Sequence, residues 1–322
     1  AAGLAKGRTL SRAQAAKVRA TGRAAQAPVV AEIRARGGKV TRQFADAVNA
    51  VTARVRVRDV AALRAVPGVV AVDPVHTVTR SNLRSDLYTG AAAAWSSYGV
   101  DGSGVKVAVI DTGIDYTHAT FGGAGTTAAF EANDGAVVEP GSFPTAKVVG
   151  GYDFVGDDYN YSGGSATPAP DADPLDCNGH GSHVAGTAAG FGVNADGSTY
   201  TGAYTSAAVQ AAGLRIGPGS APKASLMGYR VFGCDGDVSN DIVIAAIDRA
   251  VADGADVINM SLGGSYGRAS DVDAVTVDNA AKAGVMMVIS AGNDGQAPYI
   301  VGGPSTADRA LSVAAMDANE SF

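Results

Sequence analysis

The sequence predicts an α/β fold: a mostly parallel sheet with helices on both faces, preceded by a small α+β domain. Three observations carry this. From Val105 onward, strand-sized apolar runs alternate with stretches of helical period, the pattern of a sheet buried on both sides. The longest runs, such as Val285-Met286-Met287-Val288-Ile289, are strand-sized, and none approaches the roughly 18 residues that a membrane-spanning helix needs. The first 80 residues carry a balance of +11 and the remainder −17, for a net charge of −6 over 322 residues, so the chain has two regions of different character. That length suits one large domain plus a small one, and 46% apolar with 17% charged residues describes a globular chain.

In chain order, Ser11-Arg12-Ala13-Gln14 reads as a capping box that opens a helix. Pro28 predicts the start of a second helix, Val29 to Arg36, which Gly37-Gly38 ends. Val40 to Val57 alternates like a hairpin. Val60 to Ala65 predicts a short helix, and Val69 to Val78 is extended. Residues 1–80 thus make the α+β domain, and 81–104 a linker with an Ala-rich helix around Trp95. In 105–322, strands are predicted at 106–110, 148–155, 224–232, 257–262, 285–289 and 310–315. Helices are predicted at 181–190, 240–252 and 271–283. Loops 156–176 and 191–222, rich in Gly, Pro, Asp and Ser, are expected at the surface.

A basic first quarter admits a nucleic-acid arm, but it holds Phe44 as its only aromatic residue. Complementarity with the chain's own acidic portion is the better reading, and such docking should weaken with salt. Cys177 and Cys234 form neither a C-x-x-C pair nor zinc-ligand spacing. A disulfide joining them is the expected state, which would imply an oxidising compartment; two buried thiols are the alternative. At the N-terminus, Arg and Ala alternate without the apolar core of a signal peptide. If the protein is exported, that segment was removed or left out.

Ligands of such folds bind at the carboxyl ends of the strands. There the sequence places Asp111 in "VAVIDTGID", Ser261 to Gly264 in "SLGG", and Ser290 to Gly295 in "SAGNDG". His180 opens the small-residue helix of "CNGHGSHVAGTAAG". Asp111 has three readings: half of an aspartic-protease dyad, a strand-end cap, or a carboxylate that orients an imidazole. His180 and His183 are spaced for a zinc site, yet no H-E-x-x-H occurs. His180 is expected at the rim, and His183 one turn in, buried with its hydrogen bond satisfied. Gly263 to Gly267 fits G-x-S-x-G, but every histidine precedes Ser265, the wrong order for an α/β-hydrolase. A Gly-rich turn is the expected reading.

Together, "VIDTGID", "NGHGSHVAGT" and "SAGND" resemble the subtilisin-like serine proteases over residues 85–322, and residues 1–80 resemble that family's inhibitor-like propeptide. The resemblance implies a subtilisin-like α/β fold and a secreted serine endopeptidase that acts on proteins or peptides. It casts Asp111 as orienter of the imidazole, His180 as general base and then acid, and Asn293 as oxyanion donor. Ser261, Leu262 and Gly263 would pair with an extended substrate. Ala291, Gly292 and Gly302 would wall a roomy P1 pocket that suits large apolar residues. No redox or nucleotide cofactor is implied, and no nucleic-acid partner or membrane span. Calcium often stabilises relatives; Asp157-Asp158 and Asp171 to Asp176 are candidate sites, with solvated loop charge the alternative.

The family's nucleophile segment, G-T-S-M-A-x-P, does not occur in these 322 residues. The expectation is therefore a fragment or interrupted chain with its serine beyond Phe322, inactive alone and poorly stable. The alternative is a non-catalytic peptide-binding or inhibitory module. Propeptide removal is expected between Val78 and Tyr88.

Overall fold

A computed structural model describes residues 12–45, 48–75, 77–80, 90–295 and 297–315. The N-terminal segment forms α1 (Arg12–Ala35), β1 (Lys39–Phe44), β2 (Ala50–Arg54) and α2 (Val60–Arg64), followed by β3 (Thr77–Arg80). The rest forms α3 (Ala91–Tyr98), β4 (Lys106–Asp111), α4 (Thr127–Glu131), β5 (Val148–Asp153), α5 (His180–Ala189) and α6 (Ser206–Ala211). Then come β6 (Ser225–Arg230), β7 (Val238–Ser239), α7 (Asn240–Ala252), β8 (Val257–Met260), β9 (Leu262–Gly263), α8 (Val272–Lys282), β10 (Met286–Ser290) and β11 (Leu311–Val313). The Ser11 cap and residues 81–89 of the linker lie outside the described residues. No helix among those described is long and apolar enough to cross a membrane.

Residues 12–35 make one helix with Pro28 inside it, where the sequence predicts two. An interior proline costs about 3 kcal/mol, so tertiary packing holds α1 together. Val30 and Ile33 are buried, and the buried Gln26 side chain donates to the Phe44 carbonyl (2.6 Å) and to Asn49 Oδ1 (2.8 Å). β1 and β2 pair antiparallel, as the hairpin pattern predicts.

The main sheet has six strands in the order β11-β10-β8-β4-β6-β5, all parallel. β4, the first of them in the chain, lies inside the sheet with later strands on both sides. That arrangement opens a crevice at the carboxyl ends beside it. Alternation along β4 divides the core. Ala108 and Ile110 face Ile242, Val243, Ala246 and Ile247 of α7, whereas Val107 and Val109 face Val184, Ala185 and Ala189 of α5. Each fully buried Ile or Val contributes about 1.5–3 kcal/mol by leaving water. Both faces are covered, which is why these strands read as unbroken apolar runs.

Loop 156–176 departs from its expected surface position. Tyr159, Asp173, Leu175 and Asp176 within it are buried. Internal donors make this possible: Asp173 accepts from the Tyr116 hydroxyl (2.9 and 2.8 Å to its two oxygens) and from the Leu175 N–H at 3.0 Å. Val193 and Tyr200 are likewise buried in loop 191–222, which also contains α6.

Burial pushes the Asp153 and Asp173 carboxyls up to about 6, with Arg230 opposing the shift at Asp153 and the Tyr116 hydroxyl opposing it at Asp173. The folded state then keeps protons that the unfolded chain has lost, so these groups make stability fall as pH rises from about 4 to about 6. Asp173→Asn is expected to remove up to about 3 kcal/mol of that fall. Guanidinium unfolding at about pH 4 and about pH 7 measures it, and an identical fall in the variant contradicts it.

Candidate active site

β4 delivers Asp111 to the carboxyl edge of the sheet with no solvent exposure. Its Oδ1 accepts from the Thr112 N–H at 2.7 Å and lies 2.7 Å from His180 Nδ1. Burial pushes the Asp111 carboxyl up; the His180 hydrogen bond and the Thr112 N–H pull it back. With Asp111 ionised, its carboxylate only accepts, which places the imidazole proton on Nδ1 and leaves Nε2 as the basic atom of the neutral ring. The His180 side chain is 10% exposed. The pair thus combines a desolvated carboxyl group with a ring at the edge of solvent.

His180 is the first residue of α5, and two glycines around it are structurally required. Gly179 takes φ 96°, a left-handed turn that a Cβ disfavours. Gly181 donates its N–H to Thr112 Oγ1 at 2.8 Å, and a Cβ on it would stand 2.2 Å from the Gly113 carbonyl oxygen. The helix start is thus pressed directly against the end of β4. His183 is exposed, contrary to its expected burial. The buried face of α5 carries Gly181, Val184, Ala185 and Ala189, and at about 100° per residue position 183 falls opposite that face.

Cys177 and Cys234 are disulfide-bonded, which fastens the segment before His180 to the loop after β6. Beside the bond lies Arg230, fully buried. Its guanidinium pairs with Asp153 (3.3 Å) and Asp157 (2.7 Å) and donates to the Leu175 carbonyl (3.2 Å) and Cys177 Sγ (3.0 Å). Sequence reasoning passed over Arg230 and Thr112. An arginine inside an apolar strand, "SLMGYRVF", was the available signal.

Of the proposed substrate-binding residues, Ser261 and Leu262 are buried and Gly263 is half-buried at the end of β8 and in β9. Ala291, Gly292 and Gly302 lie nearby: Gly302 donates to the Ala291 carbonyl (3.0 Å), and Ser290 Oγ donates to the Leu262 carbonyl (3.2 Å). Gly264 and Gly303 exchange backbone hydrogen bonds (3.0 and 2.9 Å) and join the two walls. Asn293 is exposed in the loop after β10, on the same carboxyl edge as Asp111. Between β7 and β9 runs β3, antiparallel to both, with Thr79 opposite Gly263 and Arg80 opposite Leu262. The chain's own residues 77–80 therefore occupy the strand-pairing face of Leu262-Gly263.

Ser265 hydrogen-bonds to Asp294, and Tyr266 after it takes φ 61°, the geometry of a turn. The acid-rich loop is not simply solvated charge, because Asp173 and Asp176 are buried and bonded to internal donors. Among the described residues, one group of three metal-ligating types converges, Asp157, Cys177 and Cys234. Its sulfurs are in the disulfide and its carboxylate pairs with Arg230, so it does not fit a cation.

Gly181→Ala is expected to push α5 off β4 at the cost of about 3 kcal/mol, the upper range for overpacking. Denaturant unfolding reads the loss, and NMR of the His180 ring reads the weakened bond to Asp111. Wild-type stability and an unchanged ring resonance would refute the close approach.

Comparison with known proteins bears on this constellation. Residues 102–321 match the subtilase family model. The chain is 32% identical to "Minor extracellular protease Vpr" of Bacillus subtilis, over 87% of this chain and 31% of that protein. It is 31% identical to "Subtilisin E" of Bacillus subtilis, over 88% of this chain and 60% of the relative. It is 35% identical to "Alkaline serine exoprotease A" of Vibrio alginolyticus, over 60% of this chain and 24% of the relative. It therefore spans less than two thirds of each of these relatives. With the match extending over most of its length, the chain belongs to the subtilase family.

Proposed function

We propose that the chain carries the base, its orienting acid and the oxyanion donor of a secreted serine endopeptidase. The observation that carries this is the 2.7 Å contact between the buried Asp111 carboxylate and His180 Nδ1. In the proposed reaction a serine attacks the peptide carbonyl while His180 Nε2 takes its proton. Asp111 holds the ring in the required tautomer and stabilises the imidazolium. Asn293 donates to the developing oxyanion, and His180 returns the proton to the leaving amine as the acyl-enzyme forms. The serine is assigned to chain outside these 322 residues, which hold no G-T-S-M-A segment. The extracellular naming of the Vpr relative and the disulfide both support secretion.

Residues 1–80 are proposed as an intramolecular inhibitor. Their basic charge complements the rest of the chain. Arg42 of β1 lies 3.4 Å from Asp241 of α7, and β3 fills the pairing face that an extended substrate would use. That last feature also supports the second reading, a module that binds peptides without turnover.

One experiment separates the two. The 322-residue chain is expected to show no peptidase activity, whereas the protein with its downstream sequence is expected to cleave peptides and to be blocked by a fluorophosphonate. In that longer protein His180→Ala should cost about 10⁶ in kcat and Asn293→Ala about 10²–10³, figures that are those of subtilisin itself. Turnover by the 322 residues, or an active His180→Ala, would refute the assignment. Cleavage of a peptide library should favour large apolar P1 residues, since small residues wall that pocket; strict selection of charged P1 residues would contradict this.

A further inference from the structure

We propose that Asp176 is the positioning residue for His180, an inference that rests on reading His180 as the proton-carrying base. Asp176 lies four residues before His180 and is 3% exposed. Its carboxylate accepts four hydrogen bonds. Oδ1 takes the N–H groups of Asn178 (2.8 Å) and Gly179 (2.9 Å). Oδ2 takes the N–H (2.9 Å) and the hydroxyl (2.7 Å) of Ser182. The Ser182 oxygen in turn accepts the Asp115 N–H at 2.8 Å. A single buried group therefore ties the turn before His180, the first turn after it, and the segment that follows Asp111.

Physical chemistry explains why a carboxylate stands there. The first N–H groups of α5 have no partner within the helix, and the helix N-terminus favours negative charge. A buried carboxylate is costly unless donors surround it, and four protein donors do so here. A neutral side chain could not accept all four bonds. Asp176 touches no reacting atom in this arrangement. It acts by fixing the backbone on both sides of His180, so that the ring meets Asp111 in one orientation. Two well-placed ends of a hydrogen bond are worth little if the chain between them can rock, and the left-handed Gly179 is the point where rocking would begin.

The test uses the 322-residue chain and NMR. In the wild type, the His180 ring titration and the low-field Nδ1–H proton of the Asp111 bond are recorded. Folded Asp176→Ala is expected to lower the His180 pKa by about one unit and to lose or move that proton upfield. Val277→Ala, a cavity variant in the core on the opposite face of the sheet, loses stability but should leave both signals in place. Should Asp176→Ala fail to fold, Asp176→Asn, which keeps one acceptor oxygen, is held to the same outcomes. Unchanged signals in the Asp176 variant, or equal changes in Val277→Ala, overturn the proposal. If Asp111→Asn leaves the His180 titration unmoved in the wild-type background, the Asp111–His180 reading itself fails, whatever Asp176 does.

Discussion

The contact between Asp111 and His180 sets the terms for the structure around it. A carboxylate with no exposure is costly unless donors surround it, and its donors are the Thr112 N–H and the imidazole. To bring the ring there, the start of a helix must lie against the end of a strand at backbone contact distance. Gly181 against the Gly113 carbonyl makes that approach, and Thr112 Oγ1 receives the N–H that would otherwise be stranded in the contact. The run of small residues in α5 follows from the same requirement. It lets the helix seat on Val107 and Val109 without forcing β4 outward.

The order of strands does the rest of the gathering. Because every strand of the main sheet runs the same way, β4, β8 and β10 all end at one edge. Residues far apart in sequence, Asp111, Ser261 and Asn293, arrive there with no direct interaction among them being needed. The walls beyond that edge are backbone, joined through Gly264 and Gly303. Such a surface pairs with an extended chain through main-chain groups, which is how β3 sits on it.

A second polar centre lies under the His180 turn. Arg230 is wholly buried, and breaking such a cluster by removing one partner would leave an uncompensated charge. With the disulfide beside it, this cluster ties β5, β6 and the segment before α5 into one support. In the acidic loop that passes through it, Asp173 and Asp176 are internal acceptors, whereas Asp157 and Asp158 are exposed.

Much of this was legible in the sequence because it depends on local period and spacing. The parallel α/β class, the boundaries of α7 and the hairpin of residues 39–54 follow from apolar alternation and turn residues. The motif around His180 marked it as the candidate base through its resemblance to the subtilisin-like proteases. What the sequence could not determine depends on partners distant in the chain. Pro28 stays inside α1 because Gln26, Val30 and Ile33 pack on the hairpin, a gain invisible to local propensity. His183 faces outward because the buried face of α5 is set by where β4 lies. Asp173 turns inward because its donor Tyr116, 57 residues away in sequence, is brought close only on folding. Residue type and spacing specify which elements form, whereas the meeting of distant donors and acceptors decides which polar groups the interior can hold.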